Sequence, residues 1–112
     1  MDKFLPLSGK GKWIIFEVAG NVKNVTWGTR KFDLSDSTID DILEKFFIEF
    51  DKWYPLGAHM VSPMPGGLGI FIQSRHEGLY SRDACAIAAI MYQEGFIEHK
   101  NKRPILLRKI KR

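Results

Sequence analysis

The stretch from Ser37 to Trp53 constrains the chain most. Its apolar residues Ile39, Leu43, Phe46, Phe50 and Trp53 recur at steps of four, three, four and three. Residues three and four apart lie above one another on a helix, so the spacing predicts an amphipathic helix over 37–53. Ile42 and Phe47 flank the stripe and broaden it into a face suited to packing on a sheet. Ser37 stands three residues before Asp40, a capping-box-like start. Asp41 and Lys45 form an i,i+4 pair, and Pro55 and Gly57 supply the stop. Ile48 points the other way, among Asp41, Glu44, Lys45 and Lys52, where a core does not account for it.

The segments around this helix read as strands and one further helix. Trp13–Ala19 is rich in β-branched and aromatic residues and predicts a central strand. Val25–Leu34 reads as one alternating strand with Val25, Trp27 and Thr29 on one face, joined to the first through Gly20–Asn24. His59–Val61 is a short strand candidate. Leu68–Gln73 reads as a buried strand behind the loop Pro63-Met64-Pro65-Gly66-Gly67. Ser81 opens a second helix whose apolar residues include Ala84, Ile87, Ala88 and Met91, and Gly95 ends it. Phe96–His99 and Pro104–Ile110 form a closing hairpin. The order ββαββαββ predicts a two-layer α+β domain with a mixed or antiparallel sheet and two helices.

The alternative is a winged-helix-like C-terminal half, in which the second helix serves recognition and the basic hairpin is the wing. That alternative lacks its third helix, and its recognition helix is apolar. A single domain over 1–112 is expected, with 1–11 a loose lead-in and 108–112 a basic tail.

Charge gives the sharpest functional signal. The net charge is +4, yet Lys100, Lys102, Arg103, Arg108, Lys109, Lys111 and Arg112 fall in the last thirteen residues with no acidic neighbour. The rest carries ten basic against thirteen acidic residues. Clustered cations neutralise phosphates and release condensed counterions. Arg30 and Lys31, beside Trp27, would extend such a surface with a stacking platform. These nine cations are the candidate nucleic-acid contacts. The leading expectation is a small non-enzymatic regulatory protein that binds nucleic acid through its C-terminal hairpin.

Two other classes compete with that reading. A protein-interaction module would use Asp41, Glu44, Ile48 and Asp51 on the acidic helix face, as an inhibitor, an immunity-type protein or a phage-encoded modulator of a host complex. A small nuclease would use His59, Arg75, His76 and Glu77, since histidine and carboxylate suit acid–base work and arginine holds an anion.

Several classes find no support in the residues. Pro65-Gly66-Gly67-Leu68-Gly69 lacks the Gly-Lys-Ser/Thr of a P-loop and does not match GxGxxG, so no cofactor is expected. His59, His76, His99 and Cys85 do not fall at zinc-ligand spacing, and no metal is expected. Cys85 sits in an apolar helix and reads as a structural thiol. A lone cysteine, no apolar leader and no long apolar run predict a cytoplasmic protein without membrane contact. An open sheet edge would permit a homodimer.

Overall fold

The computed structural model describes residues 3–59, 61–101 and 104–110. The chain is an α+β domain with two antiparallel sheets, where the sequence predicts one layer of strands. The first sheet has the order β1-β2-β3-β4, made of Lys3–Phe4, Ile14–Ala19, Val22–Trp27 and Arg30–Ser35. Both of its long hairpins close on two-residue turns, Gly20-Asn21 and Gly28-Thr29, with the glycines at φ 67° and 63°. Such turns need a left-handed first residue to match strand twist, and glycine takes that conformation without a steric penalty.

The expected strand Val25–Leu34 is therefore two strands. Val25 and Trp27 are buried before the turn, and Phe32 and Leu34 after it. The inward parity changes from odd to even positions because the chain reverses and sets Val25 opposite Phe32 on one face. The expected loose lead-in supplies β1, and Leu7 enters the core. β2 is an interior strand, as expected, but Trp13 is half exposed rather than buried.

The helix read over 37–53 is shorter and starts earlier. α1 spans Asp36–Asp41, and its N-cap is Ser35, whose Oγ accepts from the Thr38 N–H at 3.1 Å. One π-helical turn, Ile42–Phe46, follows. It brings Phe46 and Phe47 inward together, with ring centroids 5.2 and 5.5 Å from Tyr54, and Phe46 is 5.3 Å from Phe71. A wider turn can bury two successive aromatics that an α-helix would splay apart. The chain then leaves the helix, so Phe50 is exposed and Asp51 takes φ 63°.

α2, Leu68–Arg75, replaces the strand expected over Leu68–Gln73. A short apolar run fits a buried strand or a buried helix equally well, and here Leu68 and Ile72 face the core four residues apart. His59 and Val61 lie outside any strand, and Met60 is outside the described residues. The second sheet has the order β5-β7-β6, formed by Tyr54–Pro55, Leu106–Lys109 and Ile97–Lys100.

A 3₁₀ turn, Ser81–Asp83, leads into α3, Ala84–Gln93. Ala84, Ala86, Ile87, Ala88, Ala89, Ile90 and Met91 are all essentially inaccessible. Gly95 ends α3 at φ 81°, as expected, and the Phe96 N–H donates back to the Met91 carbonyl. α2 supplies the third helix that the winged-helix-like alternative lacked. α3 remains too deeply packed to enter a groove of duplex DNA.

Candidate nucleic-acid interface

The turn Gly28-Thr29 brings the end of the first sheet against the start of α3. Lys12, Trp27, Arg30, Tyr80, Arg82 and Asp83 line a cleft of about 400 Å³ there. Arg30 fixes the junction. Its Nε donates to Asp83 Oδ1 at 3.0 Å, and its Nη2 donates to Asp83 Oδ2 and to the Gly78 carbonyl, both at 2.8 Å. Asp83 Oδ2 also accepts from the Tyr80 N–H at 2.9 Å, satisfying a donor at the helix entrance. The hydrogen bond to Asp83 raises the Arg30 pKa, against an opposing effect of burial.

Aromatic faces meet cations throughout this cleft. The Arg30 guanidinium lies 4.7 Å from the Tyr80 ring centroid, and Arg82 lies 5.2 Å from that of Trp27. Tyr80 is 56% exposed, which leaves much of its ring open. A Cβ on Gly28 would sit 3.1 Å from Lys12 Cγ, so the Lys12 stem crosses the turn closely. Trp27 is buried, and its Nε1 has no hydrogen-bond partner among the described residues.

Arg82 also lines a second, apolar groove of about 610 Å³ with Leu56, His59, Met64, Cys85, Pro104 and Ile105. It is thus the wall between the cleft and the foot of the basic hairpin. Asn101 Nδ2 donates to the Leu7 carbonyl at 2.8 Å and ties the hairpin to the N-terminal stretch. Burial pushes the Cys85 thiol pKa up, which keeps it protonated and poorly nucleophilic.

The nine cations singled out in the sequence have different fates. Arg30 is paired, as above, and Lys31 is exposed on the outer face of β4. Arg108 forms an ion pair with Glu98, its opposite number in the β6–β7 ladder. Arg108 and Lys100 both sit over Trp53, at 4.6 and 4.2 Å from a ring centroid. Lys109 is 4% exposed and donates from Nζ to the Leu43 carbonyl at 3.0 Å, serving the π-helical turn. Arg108 and Lys109 therefore belong to β7 rather than to a tail. Lys102, Arg103, Lys111 and Arg112 lie outside the described residues.

The other candidate sets are also dispersed. Asp41 does not pair with Lys45. Its carboxylate accepts from Arg75 Nη2 at 2.7 Å and Nε at 2.9 Å, with His76 Nε2 at 2.9 Å. Glu44, Ile48 and Asp51 are exposed, Ile48 at 70%. Arg75, His76 and Glu77 line one groove, while His59 lines another. The His59 Nδ1 accepts from the Val61 and Ser62 N–H groups and shapes its own loop. Among the described residues, no cluster of three or more His, Cys, Asp or Glu is placed to hold a metal ion, and no helix is long and apolar enough to cross a membrane.

The Asp41 cluster has a defined pH signature. The Arg75 hydrogen bonds hold the Asp41 carboxyl below its usual range, burial opposes them, and His76 adds to the depression. A carboxyl with a lowered folded pKa contributes stability above its unfolded value, about 3.9, and loses it as pH falls through the folded value. Asp41→Asn should therefore be less stable than wild type at neutral pH. The gap should close as pH falls through the lowered folded value, as urea melts over a pH series would show.

No protein-family model matches the chain, and comparisons with curated proteins and with solved structures give no significant match. Tyr80 was a sequence candidate only beside the Arg75–Glu77 connector, and Lys12 and Arg82 were not candidates, because they lie in segments whose proximity only the fold creates.

Proposed function

We propose that the protein is a non-enzymatic regulatory protein that binds single-stranded nucleic acid at the Lys12–Tyr80–Arg82 cleft, with the basic hairpin contributing further phosphate contacts. The observation that carries this reading is Arg82. It stacks on Trp27 in the aromatic cleft and lines the groove that reaches Pro104, immediately after Lys102 and Arg103 in the chain. Aromatic faces with interleaved cations accept any base, since every base has a π-face, while the cations follow the backbone. The buried α3 argues for a single strand over a duplex, because that helix offers few side chains to base edges in a groove.

Fluorescence anisotropy with labelled single-stranded and duplex oligonucleotides across a salt series tests this. Single strands should bind more tightly, with log K falling by roughly 3 per decade of salt if about four phosphates are contacted. Tyr80→Ala should weaken binding by roughly tenfold, in line with about 1–3 kcal/mol per stacked base. Absence of salt-dependent binding at low ionic strength would end the proposal.

A protein-interaction module remains the second reading, and one observation favours it. Ile48 and Phe50 are 70% and 48% exposed on the connection after the π-helical turn, beside Glu49 and Asp51. Loss of a captured partner on Ile48→Asp, with oligonucleotide binding absent, would support this reading over the first.

A further inference from the structure

The first sheet ends at β4, which has no strand on its outer side among the described residues. The two-residue turn makes Trp27 and Arg30 a hydrogen-bonded pair, and such pairs alternate along an antiparallel ladder. Arg30, Phe32 and Leu34 therefore point their backbone groups toward β3. Lys31 and Asp33 point theirs outward. No hydrogen bond from another described residue reaches the N–H or C=O of either. A groove of about 360 Å³ runs beside this edge, between Arg30–Asp33 and the connector Arg75–Leu79. The Asp41 pairing of Arg75 and His76 holds that connector in place.

We propose that β4 pairs with β4 of a second copy of the chain, antiparallel and two-fold symmetric about Phe32, joining two four-stranded sheets into one. In that register Lys31 lies opposite the partner's Asp33, and Asp33 lies opposite the partner's Lys31. Both are outward-pointing positions, so each pair exchanges two backbone hydrogen bonds. Both side chains are exposed on the same face of the sheet, so opposite charges stand directly across the new seam. Asn24 Nδ2 occupies Asp33 Oδ1 at 2.8 Å and leaves Oδ2 for the ammonium.

The sequence Arg30-Lys31-Phe32-Asp33-Leu34 is thus self-complementary, and this selects a second copy as the occupant. A slip of two residues would set Lys31 against Lys31 or Asp33 against Asp33, which like-charge repulsion disfavours. A slip of one would turn the inward residues to solvent. The seam is short, so the dimer belongs with small transient interfaces, with a Kd of roughly tens of micromolar.

Sedimentation equilibrium of the full chain over a concentration series tests the proposal by charge swap. Wild type should show a reversible monomer–dimer equilibrium. Lys31→Glu alone and Asp33→Lys alone should each be monomeric at the same concentrations, since each sets like charges across the seam twice. An equimolar mixture of the two variants should restore the dimer, because both cross-seam pairs become opposite in sign. Both positions are exposed, and circular dichroism establishes that each variant is folded. Wild type that stays monomeric to about 1 mM would overturn the proposal. So would a dimer that both single variants retain, or a mixture that stays monomeric. None of these outcomes depends on oligonucleotide binding, so the two proposals fail separately.

Discussion

Gly69→Ala is expected to destabilise the protein by about 3 kcal/mol, the upper end of what overpacking a core produces. The expectation runs against helix propensity, which favours alanine over glycine by about 1 kcal/mol. Gly69 lies in the first turn of α2, with its backbone against the 57–58 segment. A Cβ there would penetrate the Gly57 carbonyl oxygen and stand 3.0 Å from Ala58 Cα and 3.1 Å from the Ser81 carbonyl. All three are backbone atoms, which cannot swing aside as a side-chain tip can. Gly57 has little room to retreat, since its own Cβ position is 2.9 Å from Met64 Cβ and 3.2 Å from Gly67 Cα. Thermal unfolding should show a fall in Tm of more than about 10 °C. Gly66→Ala is the control. Its Cβ meets nothing within 4 Å, so it bears only the left-handed backbone penalty, about 1–2 kcal/mol. Equal effects at the two positions would show that the 56–58 segment yields.

The same glycines show why parts of the fold escape a sequence reading. Pro65-Gly66-Gly67-Leu68-Gly69 looks like a flexible loop running into a strand. Its glycines instead permit two backbones to touch at the start of a helix, a long-range requirement with no local marker. The helix over 37–53 fails for a related reason. Ile39, Leu43 and Phe46 are buried as their spacing predicts. No glycine or proline interrupts the stretch before Pro55, so nothing local ends the helix. It ends because Phe46 and Phe47 both pack on Tyr54, and Phe46 also on Phe71, contacts made across the chain.

By contrast, the closing part, α3 with Gly95, β6 and β7, was legible, because a long apolar helix with a glycine stop has few alternatives. The hairpin at Gly28 was not. Val25–Leu34 reads as one alternating strand, and a lone glycine in such a pattern suits a bulge as well as a turn. The reversal is plain only once Trp27 is paired with Arg30.

The charge signal was legible in composition and less so in placement. Seven cations crowd residues 100–112, but a count cannot tell which of them the fold uses. Arg108 is matched to Glu98 only once the β6–β7 register is known. Lys109 is committed to the Leu43 carbonyl because β7 is the central strand of its sheet. The cleft is the opposite case. Lys12 and Arg82 are unremarkable in sequence and come together with Tyr80 only where β3, β4 and the entrance to α3 converge.

Asp83→Ala should lower stability by about 3 kcal/mol, because removing one member of a buried ion pair strands the other. The carboxylate is 2% exposed and serves Arg30 Nε, Arg30 Nη2 and the Tyr80 N–H. Arg30 is 32% exposed, so water can partly replace the lost partner, which holds the loss to the lower end of the buried-pair range. A double-mutant cycle with Arg30→Met separates the pair from its surroundings. Coupling of at least about 1 kcal/mol is expected, and additive effects would mean that the contact does not join the sheet to α3. Asp83→Asn distinguishes stability from binding. It keeps the shape of the side chain while removing a negative charge from the cleft wall. Stability should fall, yet oligonucleotide affinity at low salt should rise by a few fold, because the net charge facing phosphate becomes more positive by one. If affinity falls together with stability, the cleft is not where nucleic acid binds. Opposite signs would tie the proposed site to the Arg30–Asp83 junction.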